Sequence, residues 1–275
     1  IKRTEELQEA MDELETVNHH LHETNSIAKK DMEMAITVQR NFFPDKAPET
    51  KEWDIAYAFE PMSGVSGDFY DFYLIDDTLS GVGIFDVSGH GISSGLITTI
   101  AKSIILNHFT KGKYKNLHTI IYEINVDLQK ELINVNNYIT GVLLRFNNNS
   151  IEYVNAGHPS ILLKTNDTVK ELLNKENELP DGCFLGIEPI NIPFEQVRFT
   201  IERNDTILLY SDCLIEELNK QNDSLGISGL MQILEKAPDK GAKGTLQFIL
   251  DEFYTFLGGK EKLNDDLTIM VLKKQ

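Results

Sequence analysis

The sequence predicts an α+β fold, a layered sandwich of antiparallel sheets and helices that follows one long N-terminal helix. Three observations predict it: strand-like and helical segments come in separate groups, short Asn-rich turns join consecutive strands, and a heptad pattern fills the first 43 residues. Grouped elements and hairpin turns favour antiparallel sheets over a doubly wound parallel sheet. The composition agrees, since 41% hydrophobic and 25% charged residues in a chain of 275 are typical of a globular protein.

The heptad pattern predicts a helix that ends at Pro44 and forms a coiled coil in a homodimer. Polar residues interrupt its second series at Thr24 and Asp31, and a single amphipathic helix lying on the globular part remains the alternative. We therefore expect a coiled-coil signalling linker at 1–44 and a globular domain at 45–275. The two series are Leu7, Leu14, Leu21, Ala28, Ala35 and Phe42, and Ala10, Val17, Thr24, Asp31 and Val38.

After Trp53 the pattern predicts strands and helices in separate groups. Short or alternating apolar runs indicate strands, and apolar residues at helical spacing indicate helices. The polar segment 174–194, which contains three prolines, is predicted to be a loop or small flap. The predicted elements are strands at 53–59, 67–75 and 81–85, helices at 92–109 and 114–133, strands at 138–146, 150–156, 159–164, 168–173, 195–201 and 205–210, helices at 226–236 and 242–257, and a strand at 266–273.

Charge and cysteine content narrow the partners and the compartment. The net charge of −17 argues against nucleic acid and anionic lipid as partners, because like charges repel. The two cysteines, Cys183 and Cys213, are far apart and outside any CxxC pattern, which indicates a reducing, cytoplasmic compartment for this part of the protein. No apolar run approaches membrane-spanning length. We expect a longer protein, with a sensor or membrane anchor upstream.

The candidate site residues are aspartates that directly abut predicted strands. A carboxylate beside a buried strand is costly unless something pairs with it, and no lysine or arginine stands at equivalent points. Divalent cations would supply the pairing, and oxygen-only ligands select Mg²⁺ or Mn²⁺ over zinc. On position alone, helix caps and turn formers are the favoured explanation. The aspartates are Asp68, Asp86, Asp212, Asp265 and Asp266.

The segments around these aspartates carry a family resemblance. Taken in order over residues 38–275, they resemble the SpoIIE-type branch of the metal-dependent protein phosphatase 2C-like (PPM) serine/threonine phosphatases. Any one segment is weakly specific, whereas all of them in order are a strong signal. The segments are an entry sequence at 38–44 and the motifs at 65–71 (VSGDFYD), 86–91 (DVSGHG), 155–159 (NAGHP), 185–186 (LG), 209–212 (LYSD) and 265–268 (DDLT).

The resemblance implies an α-β-β-α sandwich with two divalent cations, Mn²⁺ or Mg²⁺, between the sheets. Asp86 would bridge both ions, and the Val87 carbonyl would bind one of them. Asp212 and Asp265 would complete the coordination of the first ion, and Asp68 would bind the second. Asp266 would lie outside the ligand shell. Two ions can acidify a bridging water, and the resulting hydroxide would attack the phosphorus of a phosphoserine or phosphothreonine.

The resemblance also implies a substrate. It would be a phosphorylated regulatory protein, and in this branch usually an anti-anti-sigma protein of the STAS type that acts in partner switching and sigma-factor regulation. Asp68, Asp86, Asp212 and Asp265 would act in catalysis through the metals.

Three positions qualify this expectation. Cys213 stands where the family usually has glycine, so reduced activity, or a catalytically impaired pseudo-phosphatase acting as a regulated binding scaffold, is the alternative function. Relatives outside this branch carry a histidine at the place of Ser88, so the neighbouring His90 is not expected to be catalytic. His158 is expected to be a structural turn residue.

A further alternative to the phosphatase function is a coiled-coil assembly protein, which metal would not stabilise.

Overall fold

The structure is a computed structural model that describes the whole chain except residues 1, 63, 90, 167, 181, 189–193 and 261–262. Across the described residues, no helix combines the length and the apolar character that crossing a membrane would require.

The element order matches the predicted grouping closely. The helices are α1 (Lys2–Arg40), α2 (Ile92–Lys111), α3 (Leu117–Leu132), α4 (Cys213–Glu216), α5 (Gly226–Lys236) and α6 (Gly241–Leu257). The strands are β1 (Trp53–Glu60), β2 (Asp68–Ile75), β3 (Thr78–Val87), β4 (Ile139–Asn147), β5 (Ser150–Ala156), β6 (Leu162–Thr165), β7 (Thr168–Glu171), β8 (Gln196–Thr200), β9 (Thr206–Tyr210) and β10 (Leu267–Lys274).

The strands form two five-stranded antiparallel sheets, with the orders β1-β10-β9-β6-β7 and β2-β3-β4-β5-β8. One hydrophobic cluster lies between the two sheets. A second joins α2 and α3 to the outer face of the β2–β8 sheet, and a third joins α4, α5 and α6 to the outer face of the β1–β7 sheet. The predicted α-β-β-α sandwich is therefore confirmed.

Strand β2 shows how the layers form. Phe69 and Tyr73 pack against the helix layer, whereas Tyr70 and Phe72 pack against the other sheet. Since successive side chains of a strand point to opposite faces, a strand covered on both faces becomes apolar almost throughout. This explains why the strands appear in the sequence as apolar runs rather than as a strict alternation.

Two local features were not predicted. Strand β3 begins at Thr78 rather than Gly81, because Asp76 and Asp77 both take positive φ angles, 52° and 57°, and form a tight hairpin with β2. The single-turn helix α4 follows Asp212 directly. The predicted Asn turns are present, with Asn148 and Asn166 at positive φ.

Helix α1 is long and mostly uncovered. Its 39 residues correspond to about 60 Å of helix. Its heptad side chains lie in solvent within one chain; Leu14, for example, is 69% exposed and Val17 is 58% exposed. Among the side chains of α1 that the structure describes, hydrogen bonds to the globular part come from its C-terminal end, where Gln39 bonds to both backbone groups of Ser66 and to Thr98 of α2.

Candidate metal centre

The site begins with two aspartates on neighbouring strands. Asp68 opens β2 and Asp86 lies near the end of β3, and the antiparallel register places them directly opposite each other. Asp68 is only 2% exposed. Gly67 lets these two segments approach closely, because a Cβ atom there would stand 2.8 Å from the Val87 carbonyl oxygen and 3.4 Å from Asp86 Oδ1. The sequence places glycine where only glycine fits.

The other sheet contributes two more aspartates at the same end of the sandwich. Asp212 follows β9 and Asp265 precedes β10, and these strands are neighbours, with the Ser211 amide donating to the Thr268 carbonyl at 2.8 Å. Thr268 also connects the two sheets, because its hydroxyl donates to Asp68 Oδ2 at 2.5 Å. The four aspartates that the sequence singled out as ligands therefore gather at one end of the fold.

Asp266 has a different role from its neighbour. Its carboxylate accepts hydrogen bonds from the Met62 amide at 2.7 Å, the Ser66 hydroxyl at 2.7 Å and the Gly67 amide at 2.9 Å. Three donors occupy this carboxylate and hold the loop that leads into Asp68. This use of both oxygens suits the outer position expected for Asp266, although the assignment of ligands stays a prediction.

Burial and mutual repulsion disfavour the charged forms of the first pair. The pKa of Asp68 is raised well above its ordinary value, first by burial and then by the charge of Asp86, while the Thr268 hydroxyl opposes the shift. The pKa of Asp86 is raised to about 7, again first by burial and then by the charges of Asp212 and Asp265. Both shifts have the same two causes, burial and repulsion by neighbouring carboxylates.

The pKa of Asp212 is raised as well, by burial first and by the charge of Glu216 second. Among the ion pairs of the described residues, none joins a lysine or arginine to Asp68, Asp86 or Asp212. As the side chains stand, no three His, Cys, Asp or Glu residues of the described part form a ready-made metal site. In donor chemistry and in charge, however, this set of carboxylates fits hard divalent cations.

Cys213 is accommodated without distortion. It begins the helical turn α4, packs into the hydrophobic cluster on the outer face of the β1–β7 sheet and is 2% exposed. Its thiol lies 3.6 Å from the Asp265 carbonyl oxygen, and burial followed by the charges of Glu217 and Asp265 raises its pKa far above the ordinary value. A reactive thiolate is therefore disfavoured, and the cysteine behaves as a small apolar residue.

Of the two histidines considered above, only His158 lies within the described residues, whereas His90 falls outside them. His158 is buried, with Nδ1 3.0 Å from the Thr140 hydroxyl and Nε2 3.1 Å from the Tyr210 carbonyl oxygen. Burial lowers its pKa to about 4. Its partners join β4 to the end of β9, in keeping with the structural role expected from the sequence.

Beside Asp212 and Asp265 lies a pocket of about 270 Å³ with an acidic lining. The arginine ion pairs of the described residues lie elsewhere, since the buried Arg145 and the exposed Arg198 both bind Glu152 on β5. Sequence reasoning missed the polar residues that hold the aspartates, Ser66 and Thr268. A signal existed for Thr268, which belongs to the DDLT motif and lies at the start of β10, next to the two aspartates.

Comparison with known proteins gives one family. The family model described as Stage II sporulation protein E (SpoIIE) matches residues 76–275. Among curated relatives, phosphoserine phosphatase RsbP of Bacillus subtilis (strain 168) is 27% identical over 248 residues, which is 88% of this chain and 58% of RsbP. Phosphoserine phosphatase RsbU of the same organism is 26% identical over 255 residues, 90% of this chain and 71% of RsbU. The chain thus spans little more than half of RsbP.

Solved structures support the same fold. The SiaA-PP2C domain of Pseudomonas aeruginosa superposes with a TM-score of 0.77 at 16% identity, covering 91% of this chain and 98% of that domain. RsbX, solved in complex with magnesium, superposes with a TM-score of 0.58 at 13% identity, covering 84% of this chain and 99% of RsbX. At these identities the likeness carries the fold alone.

Proposed function

The chain belongs to the Stage II sporulation protein E (SpoIIE) family, and from this premise we propose that it is a metal-dependent protein serine/threonine phosphatase. Its reaction is hydrolysis of phosphoserine or phosphothreonine on a regulatory protein. The observation that carries the proposal is the gathering of Asp68, Asp86, Asp212 and Asp265 at one end of the sandwich, where burial raises the pKa values of the first three. The description of RsbP and RsbU as phosphoserine phosphatases supports it.

Two divalent cations, Mn²⁺ or Mg²⁺, are proposed as cofactors, with Asp86 shared between them and the Val87 carbonyl beside it. Asp212 and Asp265 would serve one ion and Asp68 the other. The magnesium in the RsbX structure supports this choice of ion. When bound, such ions offset carboxylate repulsion, acidify a water near neutral pH and stabilise charge on the phosphoryl oxygens.

The chain's own residues position this machinery. The Thr268 hydroxyl orients Asp68, and Asp266 fixes the loop before Asp68 through Ser66 and Gly67. Because the carboxylates repel a phosphate dianion, the substrate phosphate depends on the cations for binding. Cys213 packs without strain, so we favour the enzyme over the scaffold alternative.

The substrate that we propose is a serine-phosphorylated STAS-type protein of a partner-switching pathway. With Mn²⁺ present, we expect the chain to release inorganic phosphate from such a protein, and excess chelator should abolish the release. Heat-unfolded chain at the same Mn²⁺ concentration is the control for metal-catalysed background. Phosphate release that persists in chelator would contradict the metal-dependent mechanism, and metal binding without any turnover would support the scaffold.

We further propose that residues 1–44 are a linker that pairs two copies, that 45–275 is the catalytic unit, and that an upstream sensor acts through the linker in the cytoplasm. The exposed heptad residues of α1 support pairing, because an apolar seam in water favours a partner helix. Their narrow spacing, three and four residues apart, suits a two-stranded coiled coil.

Val17→Asp should therefore dissociate the dimer. A charge at a seam position loses its hydration on pairing, and we expect the dimer dissociation constant to rise at least about a hundredfold. Sedimentation equilibrium measures this directly. Thr16→Asp is the matched control, because it places the same charge one residue away and outside the seam. A monomeric wild-type chain, or a Val17→Asp variant that pairs as well as Thr16→Asp, would contradict the coiled coil.

A further inference from the structure

An exposed pair of aromatic rings lies near the metal centre without a role in it. Tyr138 precedes β4, and Phe184 lies in the predicted flap segment between β7 and β8. Their rings stack with centroids 4.6 Å apart and planes inclined by 17°. Tyr138 is 38% exposed and Phe184 is 37% exposed, so a continuous aromatic surface faces solvent. Contiguous exposed apolar surface often marks a binding site.

Backbone hydrogen bonds hold both residues of the pair in place. The residue after each ring forms a two-way backbone bridge, with the Ile139 amide donating to the Leu185 carbonyl at 2.9 Å and the Leu185 amide to the Ile139 carbonyl at 2.8 Å. Helix α3 holds the next residue, because the Gly186 amide donates to Asn125 Oδ1 at 2.7 Å. Little conformational entropy is then lost when a ligand settles on the rings.

Gly157 explains part of a motif that the metal centre leaves unused. A Cβ atom at this position would come within 2.4 Å of the Phe184 ring. The glycine of the NAGHP motif therefore makes room for Phe184, while the histidine of the same motif is buried in the structure. The LG motif supplies the bridge residue Leu185 and Gly186, so both motifs serve the placement of the ring.

The pair also adjoins the segment that follows Asp86, which we call the metal loop and which begins at Ser88. The Ser88 amide donates to the Tyr138 carbonyl at 2.9 Å, and the Tyr138 amide donates to Ser88 Oγ at 2.9 Å. Asn137 Nδ2 donates to the Ser88 carbonyl at 2.5 Å. Ser88 is two residues after Asp86, so their Cα atoms are at most about 7 Å apart. The backbone of Tyr138 therefore lies beside the loop that directly follows Asp86.

We propose that the Tyr138–Phe184 pair binds an apolar side chain of the substrate protein close to its phosphorylated serine or threonine. This inference rests on the proposed phosphatase function and adds a determinant of substrate choice. The acidic lining beside Asp212 repels negatively charged segments, and the net charge of −17 does so at longer range. Apolar contact with the rings then supplies affinity for the polypeptide, since aromatic surfaces bind aliphatic groups by burial.

Two short phosphoserine peptides of equal length and charge test this, one with leucines flanking the phosphoserine and one with serines. For the wild-type chain in Mn²⁺ we expect kcat/KM for the leucine peptide to be roughly tenfold higher, as expected for partial burial of one leucine side chain. In Phe184→Ser and Tyr138→Ser this ratio should fall to about one. Because the ratio compares two substrates of one preparation, partial unfolding of a variant does not change it.

Tyr114→Ser is the matched control, since Tyr114 is 94% exposed and lies just beyond α2, a helix of 20 residues and so about 30 Å long, whose other end adjoins the metal loop. It should retain the wild-type ratio. Equal kcat/KM values for the two peptides in the wild type, or a preference that survives both ring substitutions, would overturn the inference. Absence of metal-dependent hydrolysis of either peptide and of p-nitrophenyl phosphate would instead overturn the proposed function.

Discussion

Replacing Asp86 by asparagine should lower Mn²⁺-dependent hydrolysis of p-nitrophenyl phosphate by at least about a thousandfold, because the proposed shared ligand of both cations is lost together with their joint effect on the attacking water. Asparagine keeps the shape of the side chain and removes its charge. Steady-state rates at saturating Mn²⁺ measure the effect, and thermal unfolding with chelator separates it from misfolding. The metal-free variant should be at least as stable as the wild type, since a buried, repelled carboxylate has been removed.

Asp77→Asn is the matched control for this substitution. Asp77 lies in the hairpin at the opposite end of β3, is exposed and has a φ of 57°, a conformation that asparagine adopts readily. Its activity should stay within a factor of two of the wild type by analogy with ordinary surface changes. An Asp86→Asn variant that keeps more than a tenth of the wild-type rate would exclude Asp86 from the centre of the mechanism.

Most of the fold could be predicted from the sequence because local patterns determine each element. Apolar runs such as GVGIF and TILLY mark strands that are covered on both faces, and the spacing of Ile120, Ile124 and Leu128 marks the buried face of α3. The hairpin at Asp76 and Asp77 was missed since aspartate is less diagnostic of positive φ than asparagine or glycine.

The site depends more on contacts between distant segments. Which strands become neighbours decides that Asp68 lies opposite Asp86 and that the Thr268 hydroxyl reaches Asp68 from the other sheet. No periodicity within a strand encodes such a pairing. The sequence selected the aspartates by their places beside strands and by the order of the motifs, but it did not predict which of them lie opposite each other. The same holds for Phe184, whose partner Tyr138 is distant in sequence and was predicted only as the start of a strand.

The affinity for Mn²⁺ should fall about tenfold when the pH is lowered from 8 to 6. In the metal-free protein the pKa of Asp86 is raised to about 7, by burial and by the charges of Asp212 and Asp265. A metal ligand must be deprotonated, so a proton on Asp86 competes with the cation below this pH. One group with a pKa near 7 gives about a tenfold change over this interval, and the raised pKa of Asp68 acts in the same direction.

The direction of this pH effect on Mn²⁺ binding distinguishes it from ordinary acid destabilisation of the fold. A carboxyl whose folded pKa is raised stabilises the metal-free fold at low pH, and this contribution is lost as the pH rises through 7. Stabilisation by Mn²⁺ therefore grows over the same interval. His158 acts in the opposite sense, because its pKa of about 4 makes the fold less stable as the pH falls below the ordinary histidine value. Its contribution is common to both forms and cancels in their difference.

The measurement is the rise in melting temperature against Mn²⁺ concentration at pH 6, 7 and 8, with chelator at each pH as the metal-free reference. Saturating Mn²⁺ at a hundred to a thousand times its Kd should add about 3–4 kcal/mol to the free energy of unfolding. The concentration needed for half of the stabilisation should increase as the pH falls. A half-point that is the same at all three pH values would mean that no carboxyl with a pKa near 7 binds the metal, and the assignment of Asp86 as a ligand would be wrong.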